Sequence, residues 1–277
     1  MAEITAALVR ELRDETGLPM MDCKQALVAA GGDKEKAKEE MRKKGIKLQE
    51  GRGGRETAFG RFGIFAGLDK KTGAIVELKC ESAPVAGSEE FVQLANDLAQ
   101  QLATGPGAAT ADELLAQPCP SKPGKTLKDV KDDMFNRIRE VFNVGRIARV
   151  EGQTGGYSHN AARVHGVLVH VEGGTDEAAK DVSMHIAAMS PLALNKEEVD
   201  PAVVEKEREI LRAAALAEGK PANIVDKMVD GRMKNFYAEK VLLEQPFVKE
   251  NSISVGAHAE SKGMKVKKFV HWELGKE

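Results

Sequence analysis

Residues 12–27 read LRDETGLPMMDCKQAL and predict the end of one helix, a sharp turn and the start of a second helix. Gly17 can adopt the positive φ that ends a helix, and Pro19 is tolerated at a helix start but not inside a helix. The apolar run Leu18–Met21 lies between charged residues and looks exposed, which is typical of a docking surface for another protein. The alternative is that both methionines fill the core of a small helical domain.

The N-terminal part of the chain predicts three short helices around a small apolar core. Apolar residues recur at helical spacing in the first helix, and the second is predicted to end at Gly31 and Gly32. Asp33 can cap the third helix, which is predicted to end at Gly45. A module of this size is typical of a recognition domain rather than an enzyme.

After a glycine-rich linker at residues 51–55, the pattern predicts strands and then helices. Residues 58–68 and 73–80 indicate a β-hairpin. A loop is predicted around Pro84, because proline cannot continue a central strand. Further helices are predicted from Ser88 to Leu102, from Thr110 or Asp112 to Pro118, and from Leu127 to Phe142.

The second half repeats this order of strands and helices, which indicates two similar halves. The predicted elements are a strand at 146–151, a turn at Gly155–Tyr157, a strand from Ala162 to Val171, a helix from Thr175 to Pro191, a charged helical hairpin between 200 and 236 broken at Gly219–Pro221, a short helix after Ser252 or Ser254, and a strand from Val266 to Leu274.

Composition argues against several classes of protein, namely nucleic-acid-binding, secreted and membrane-spanning proteins. The formal net charge of −2 argues against bulk nucleic-acid binding, which needs a basic surface. The three cysteines have no pairing or metal-binding spacing, which favours a reducing cytosol and a cytoplasmic location. The sequence shows no targeting signal that would predict secretion and no long apolar run that would predict a membrane span.

No catalytic constellation is present in the sequence. The six histidines lack the spacing of a metal site, and His165 and His170 are expected on a solvated strand face. Ser158 and His159 are adjacent in an extended segment, so their side chains point apart. The sequence also lacks a nucleotide-binding fingerprint. We therefore expect no catalytic residues, no metal and no cofactor, and we expect the protein to act by binding.

The stretch at 12–27 resembles the N-terminal signature of the translation elongation factor Ts family. Further blocks in the family order are Gly156–His159 before a valine-rich strand, Met184–Ala188, Val203–Glu207, Gly219–Pro221, Lys227–Lys234 and Gln245–Val248.

The resemblance implies an α+β fold in three parts. These are an N-terminal three-helix ubiquitin-associated-like domain at 1–50, a two-part α+β core at 56–142 and 143–277, and a protruding antiparallel helical hairpin at about 196–240. It also implies a guanine nucleotide exchange factor that binds elongation factor Tu in its GDP-bound and nucleotide-free states and promotes release of GDP and Mg²⁺. No direct contact with nucleic acid or membrane is implied, and in some relatives the hairpin joins two copies into a homodimer.

Carried over position by position, the resemblance implies a set of partner contacts: Arg13, Thr16, Gly17, Met20, Met21, Asp22, Lys24, His159 and Val248. Many relatives also carry a Cys-Xaa-Thr-Asp-Phe-Val-Ala segment whose Asp-Phe pair disturbs the partner's Mg²⁺ site. The aligned run Cys80–Ala86 reads CESAPVA, so the magnesium-dislocation segment comprises Ser82, Ala83, Pro84 and Val85. It lacks the carboxylate and the ring, and Glu81 is a candidate replacement for the acid. A non-exchanging binding partner or chaperone of elongation factor Tu is the alternative function.

Overall fold

The computed structural model describes residues 4–161, 163–219 and 221–276, which contain both α-helices and β-strands. The helices are α1 (Ala6–Thr16), α2 (Met20–Ala29), α3 (Lys34–Glu50), α4 (Ala83–Ala86), α5 (Glu89–Thr104), α6 (Ala111–Leu115), α7 (Leu127–Ile138), α8 (Asp176–Met189), α9 (Pro201–Ala217), α10 (Ala222–Lys240) and α11 (Val255–Ser261). The strands are β1 (Phe59–Phe65), β2 (Thr72–Cys80), β3 (Asn143–Glu151), β4 (Thr154–Asn160), β5 (Val164–Gly173), β6 (Pro246–Phe247), β7 (Glu250–Ser254) and β8 (Met264–Glu273). The fold is therefore of mixed α+β composition.

The chain divides into two compact units. The first contains residues 4–63 and 76–147, and the second contains residues 64–75 and 148–276. One sheet has the strand order β1–β2–β3, a second has the order β4–β5–β8, and β6 pairs with β7.

The first three helices surround an apolar core of their own. The buried side chains are Val9, Leu12, Leu18, Cys23, Ala26, Leu27, Ala37 and Met41. As predicted, Asp33 caps α3, because its Oδ1 accepts the backbone N–H groups of Glu35 and Lys36 at 3.0 and 3.1 Å.

The prediction that the third helix ends at Gly45 is wrong, since α3 continues to Glu50. A Cβ atom at position 45 would collide with the side chain of Asn136 on α7. Glycine is therefore needed here for close packing of two helices, and a local sequence pattern cannot distinguish that role from helix termination.

Two further boundaries in the first unit differ from the sequence prediction. The segment around Pro84 is the one-turn helix α4 rather than a loop, because proline is tolerated in the first turn of a helix. Helix α7 ends at Ile138 instead of Phe142, where Arg139 adopts a left-handed φ of 66°. The predicted Ser88 cap of α5 is confirmed by the hydrogen bond from the Phe91 N–H to its hydroxyl.

In the second unit, helix α8 packs on the β4–β5–β8 sheet through valines of β5 and the apolar face of α8. The predicted turn at Gly155–Tyr157 is wrong, because these residues lie inside β4. A Cβ at Gly155 would collide with Ala179, and one at Gly156 would collide with Ile64. These two glycines therefore permit close packing within a strand. Ala162, the predicted first residue of the next strand, lies outside the described residues.

Helices α9 and α10 follow one another and pack together through a small apolar cluster of Ala215, Val225, Val229 and Met233. Gly219 has a φ of 74° in the connection between them, and Lys220 lies outside the described residues. Several apolar side chains of this helix pair are exposed: Val203, Ile210, Leu216 and Ile224.

Candidate partner-binding surface

The turn between α1 and α2 is closed by local hydrogen bonds. Gly17 has a φ of 67° and donates its N–H to the carbonyl oxygen of Arg13 at 2.7 Å, which ends α1. The Thr16 hydroxyl donates to the Leu12 carbonyl oxygen at 2.7 Å. Leu18 is buried in the three-helix core rather than exposed as predicted. The turn is therefore anchored to the helices that it joins.

The two methionines after this turn face solvent. Met20 is 40% exposed and Met21 is 62% exposed, and Lys24 is also exposed one turn further along α2. The alternative in which both methionines fill the core is therefore wrong. We call Met20, Met21 and Lys24 the methionine face, and its exposed flexible thioethers beside a cation are typical of a protein-docking surface.

Asp22 and Arg13, which the sequence also predicted as partner contacts, already have partners within the first unit. The Asp22 carboxylate lies 2.9 Å from the Arg139 guanidinium and 3.7 Å from the Lys44 ammonium. Arg13 pairs with its neighbour Asp14 at 2.6 Å on an exposed part of α1. Asp22 is half-buried, so it ties α2 to Arg139 as well as lying beside the methionine face.

The predicted magnesium-dislocation segment forms the N-cap and first turn of α4. Ala83 and Pro84 are exposed, whereas Val85 is half-buried. The Ser82 hydroxyl donates to Glu140 Oε1 at 2.6 Å, and the Ser82 N–H donates to Glu140 Oε2 at 3.1 Å. Ser82 is thus held firmly, while the two residues after it are presented to solvent.

Glu81 does not offer a free carboxylate in place of the missing acid. Its Oε1 accepts the Val141 N–H at 2.8 Å, and its Oε2 lies 3.1 Å from an Arg55 guanidinium nitrogen. The Val141 N–H and, secondarily, the Arg55 side chain lower the pKa of Glu81. Both oxygens of the ionised group are therefore occupied by partners in the first unit.

Sequence reasoning missed Arg139 and Glu140, which contact both predicted partner-binding elements of the first unit. Arg139 contacts Asp22, and Glu140 contacts Ser82. Both Arg139 and Glu140 lie inside the segment from Leu127 to Phe142 that the sequence predicts as one helix. The partners lie 117 and 58 residues away along the chain, so local pattern could not indicate them.

The two predicted contacts in the second unit stand on separate elements. His159 is exposed on β4, with its Nδ1 3.1 Å from the Tyr157 hydroxyl oxygen. Val248 is 44% exposed directly after β6. Its N–H donates to Nδ1 of His185 at 3.1 Å, so a buried histidine that the sequence did not single out positions this residue.

His185 is fully buried and packs against the Phe247 ring. Its Nε2 lies 2.9 Å from Gln245 Oε1, while its Nδ1 accepts from Val248. This pattern requires a neutral ring that carries its proton on Nε2. Burial lowers the pKa of His185 in accord with that state, although the hydrogen bond to Gln245 acts in the opposite direction.

The prediction that His165 faces solvent is wrong. His165 is buried on β5 and stacks with His271 of β8, with ring centroids 5.2 Å apart. The two rings also share a hydrogen bond of 3.0 Å between Nδ1 and Nε2. His170 on the same strand is only half-buried.

Within the described ranges, no group of three or more His, Cys, Asp or Glu side chains is arranged to hold a metal ion. The cysteines at 23, 80 and 119 are unpaired and buried. A search of the same described residues for a helix that is long and apolar enough to cross a membrane found none.

Comparison with known proteins places nearly the whole chain in one family. The sequence model of the family described as Elongation factor TS matches residues 81–276. The chain is 44% identical over 275 residues to elongation factor Ts of Methylococcus capsulatus, covering 98% of this chain and 92% of that protein. It is 40% identical over 284 residues to elongation factor Ts of Aquifex aeolicus, covering 96% of each chain. The chain therefore belongs to the elongation factor Ts family.

Proposed function

We propose that this chain is a guanine nucleotide exchange factor for elongation factor Tu in translation elongation. It binds the GDP-bound form of its partner and promotes release of GDP and Mg²⁺. The observation that carries the proposal is membership of the elongation factor Ts family over nearly the full length of the chain. The protein acts through binding energy rather than through catalytic residues of its own.

The methionine face supports docking of the nucleotide-binding domain of elongation factor Tu by the N-terminal helices. Met20 and Met21 offer apolar surface that is exposed to solvent in the free protein. Lys24 offers a charge that can orient the partner during docking. Arg13, Thr16, Gly17 and Asp22 shape the turn beside that face. His159 and Val248 are proposed as contacts of the second unit, and both are exposed as this role requires.

Helix α4 is proposed as the element that disturbs the Mg²⁺ site of the partner. Its exposed Ala83 and Pro84 stand where many relatives have Asp and Phe, so the inserted surface is smaller and uncharged. Pro84 keeps the first turn rigid, and Val85 in the same turn is half-buried. We call Ala83 and Pro84 the wedge. The wedge is shallow, so its effect on the Mg²⁺ site depends on helix α4 being held in one orientation.

Exchange requires that this chain binds the nucleotide-free state of elongation factor Tu more tightly than the GDP-bound state. By linkage, the factor by which this chain weakens GDP binding equals the factor by which GDP weakens binding of this chain. Each tenfold weakening needs about 1.4 kcal/mol of differential contact energy between the two partner states. Docking contacts that are equal in both states supply affinity and contribute nothing to exchange.

The alternative function is a non-exchanging binding partner or chaperone of elongation factor Tu. One observation favours it, namely the absence of the Asp-Phe pair at positions 83 and 84. Under this alternative the complex forms tightly but the nucleotide stays bound.

The finer architecture is also part of the proposal. The three-helix region at 1–50 is a ubiquitin-associated-like docking domain, supported by its separate apolar core. Residues 56–142 and 143–277 form the two parts of the α+β core. The α9–α10 pair is a protruding antiparallel hairpin, and its exposed apolar residues can join two copies into a homodimer. The protein works in the cytoplasm without direct contact with nucleic acid or membrane.

The test is GDP release from the cognate elongation factor Tu loaded with a fluorescent GDP analogue. We expect the release rate to rise with the concentration of this protein and to reach a plateau. Binding is measured in parallel by titration. A tight complex with an unchanged release rate at saturation selects the non-exchanging alternative, and no complex at all contradicts both functions.

A further inference from the structure

Ser82, the N-cap residue of α4, has every polar atom engaged. Its hydroxyl and N–H both donate to the Glu140 carboxylate, at 2.6 and 3.1 Å. Its carbonyl oxygen accepts from the Cys80 thiol at 3.2 Å and from the Ala86 N–H at 3.2 Å. Burial raises the pKa of Cys80 to about 11, so the thiol keeps the proton that it donates.

The contact between residues 81–82 and 140–141 is reciprocal. Glu140 accepts the backbone N–H of Ser82, and Glu81 accepts the backbone N–H of Val141 at 2.8 Å. Each segment thus supplies one carboxylate and one backbone donor. We call these four residues, Glu81, Ser82, Glu140 and Val141, the carboxylate clamp. Charge-assisted bonds of this kind are shorter and stronger than bonds between neutral groups.

Helix α4 depends on the clamp for its orientation. It has only four residues, and helices much shorter than about 12 residues are not stable on their own in water. None of its residues is fully buried, and only Val85 and Ala86 are half-buried, so little packing holds it in place. The Ser82 hydroxyl oxygen accepts no backbone N–H from the helix, and its proton is donated to Glu140.

The residue before Glu140 connects the clamp to the docking helices. Arg139 occupies a left-handed conformation with a φ of 66°, which L side chains other than Asn and Asp rarely adopt. Its guanidinium lies 2.9 Å from the Asp22 carboxylate on α2, and its carbonyl oxygen accepts from Arg52 at 2.5 Å. Contacts on both sides therefore hold the strained residue.

We propose that Glu140 and Arg139 are positioning residues for nucleotide exchange. Glu140 fixes α4 in the orientation that presents Ala83 and Pro84 to the partner, and Arg139 fixes the methionine face relative to α4 through Asp22. This inference rests on the proposed exchange function. It explains how a small wedge can act, because a rigid apolar turn loses less entropy on insertion than a mobile one.

The test compares Glu140→Ala with the wild type in the GDP-release assay over a full range of protein concentration. We expect the maximal release rate to fall about five- to ten-fold, since misplacement of a positioned group by about 1 Å costs rates of this order or more. The half-saturating concentration should stay within about two-fold, because the docking contacts are unchanged. Glu56→Ala, at an exposed carboxylate in the same unit, is the matched control and should behave as the wild type.

Three further variants separate positioning from general destabilisation. Glu140→Gln retains an acceptor for one of the two Ser82 donors, so we expect an intermediate rate. The Ser82→Ala and Glu140→Ala double variant should lose no more than the worse single variant, because both act through one interaction. Arg139→Gly keeps the left-handed backbone but removes the contact with Asp22, and it should raise the half-saturating concentration while protein stability is retained.

Hydrogen exchange of the free protein checks the clamp without the partner. In Glu140→Ala, the N–H groups of Ala86 and Gly87, which close the α4 turn, should exchange about ten-fold faster, while those of α5 keep the wild-type rates. An unchanged maximal rate in Glu140→Ala, or a loss of affinity alone, overturns the positioning role of Glu140 but leaves the exchange function standing. If the wild-type protein does not accelerate GDP release from elongation factor Tu, both the positioning role of Glu140 and the exchange function are overturned.

Discussion

At the start of α2, Met20 and Met21 carry their thioethers into solvent, and Lys24 lies one turn away. Neither side chain contributes to the apolar core of the three-helix region. Both therefore leave apolar surface in contact with water. Binding to another protein is the physical role that such a surface fits.

We predict that Met21→Glu weakens binding to elongation factor Tu at least ten-fold, because a charge replaces apolar surface that the partner covers. The free energy of unfolding should change by less than about 0.5 kcal/mol, as is usual for an exposed site. Titration calorimetry and denaturant unfolding measure the two effects. Leu192→Glu is the control, since Leu192 is 61% exposed and belongs to the second unit rather than to the methionine face. Equal affinities for the two variants would remove Met21 from the interface.

At the scale of elements, capping residues were the most reliable sequence signals. The predicted caps Ser88 of α5 and Thr175 of α8 are confirmed, because the side-chain oxygen of each accepts a backbone N–H. Where the sequence left two candidates, the cap is Thr110 rather than Asp112 for α6 and Ser254 rather than Ser252 for α11. Glycines were the least reliable signals, because Gly45 and Gly155 serve close packing rather than chain reversal. A cap acts within four residues, whereas a packing glycine is explained only by its distant neighbour.

Because the first turn of α4 is exposed, the Asp-Phe pair of many relatives can be restored there, and the effect of its loss on exchange can be measured. We predict that the double variant Ala83→Asp and Pro84→Phe raises the maximal GDP-release rate several-fold, because both new side chains point into solvent from an element that is already held in place. Stopped-flow measurement at saturating protein gives the rate. Ala83→Asn with Pro84→Leu, which adds volume without a charge or a ring, is the matched control. If both double variants release GDP at the wild-type rate, the wedge has been replaced elsewhere in the molecule.

For the molecule as a whole, four histidines of the second unit have lowered pKa values. Burial is the main cause at each of them: His165, His185, His258 and His271. At His165 and His271 the nearby carboxylate of Glu273 acts in the opposite direction and burial outweighs it. The unfolded chain binds these protons more readily than the folded chain does. Stability is therefore fully present above the unfolded pKa of about 6.5 and is lost as the pH falls below it.

We predict a lower free energy of unfolding at pH 5.5 than at pH 7.5, with the steepest change below about pH 6.5. Urea denaturation at a series of pH values measures this dependence. His185→Gln removes one of the buried titrating groups and should flatten the curve. A stability that does not fall over this range would show that the four rings take up protons equally in both states.

The sequence by itself determined what depends on near neighbours along the chain. Helix starts, the three-helix N-terminal region, the alternation of strands and helices and the blocks shared with the elongation factor Ts family all follow from patterns a few residues long. Periodicity also identified the buried face of α5.

Only the tertiary structure decided which residues are exposed at the turn after α1 and what holds Ser82 and helix α4. The link between Ser82 and Glu140 spans 58 residues and that between Asp22 and Arg139 spans 117. Contacts of that range arise when packed elements bring distant side chains together, so no local pattern contains them. The same reason explains why the buried His165 and the role of His185 beside Val248 became visible only in the folded chain. It also explains why only the folded chain could decide between exposed and buried methionines.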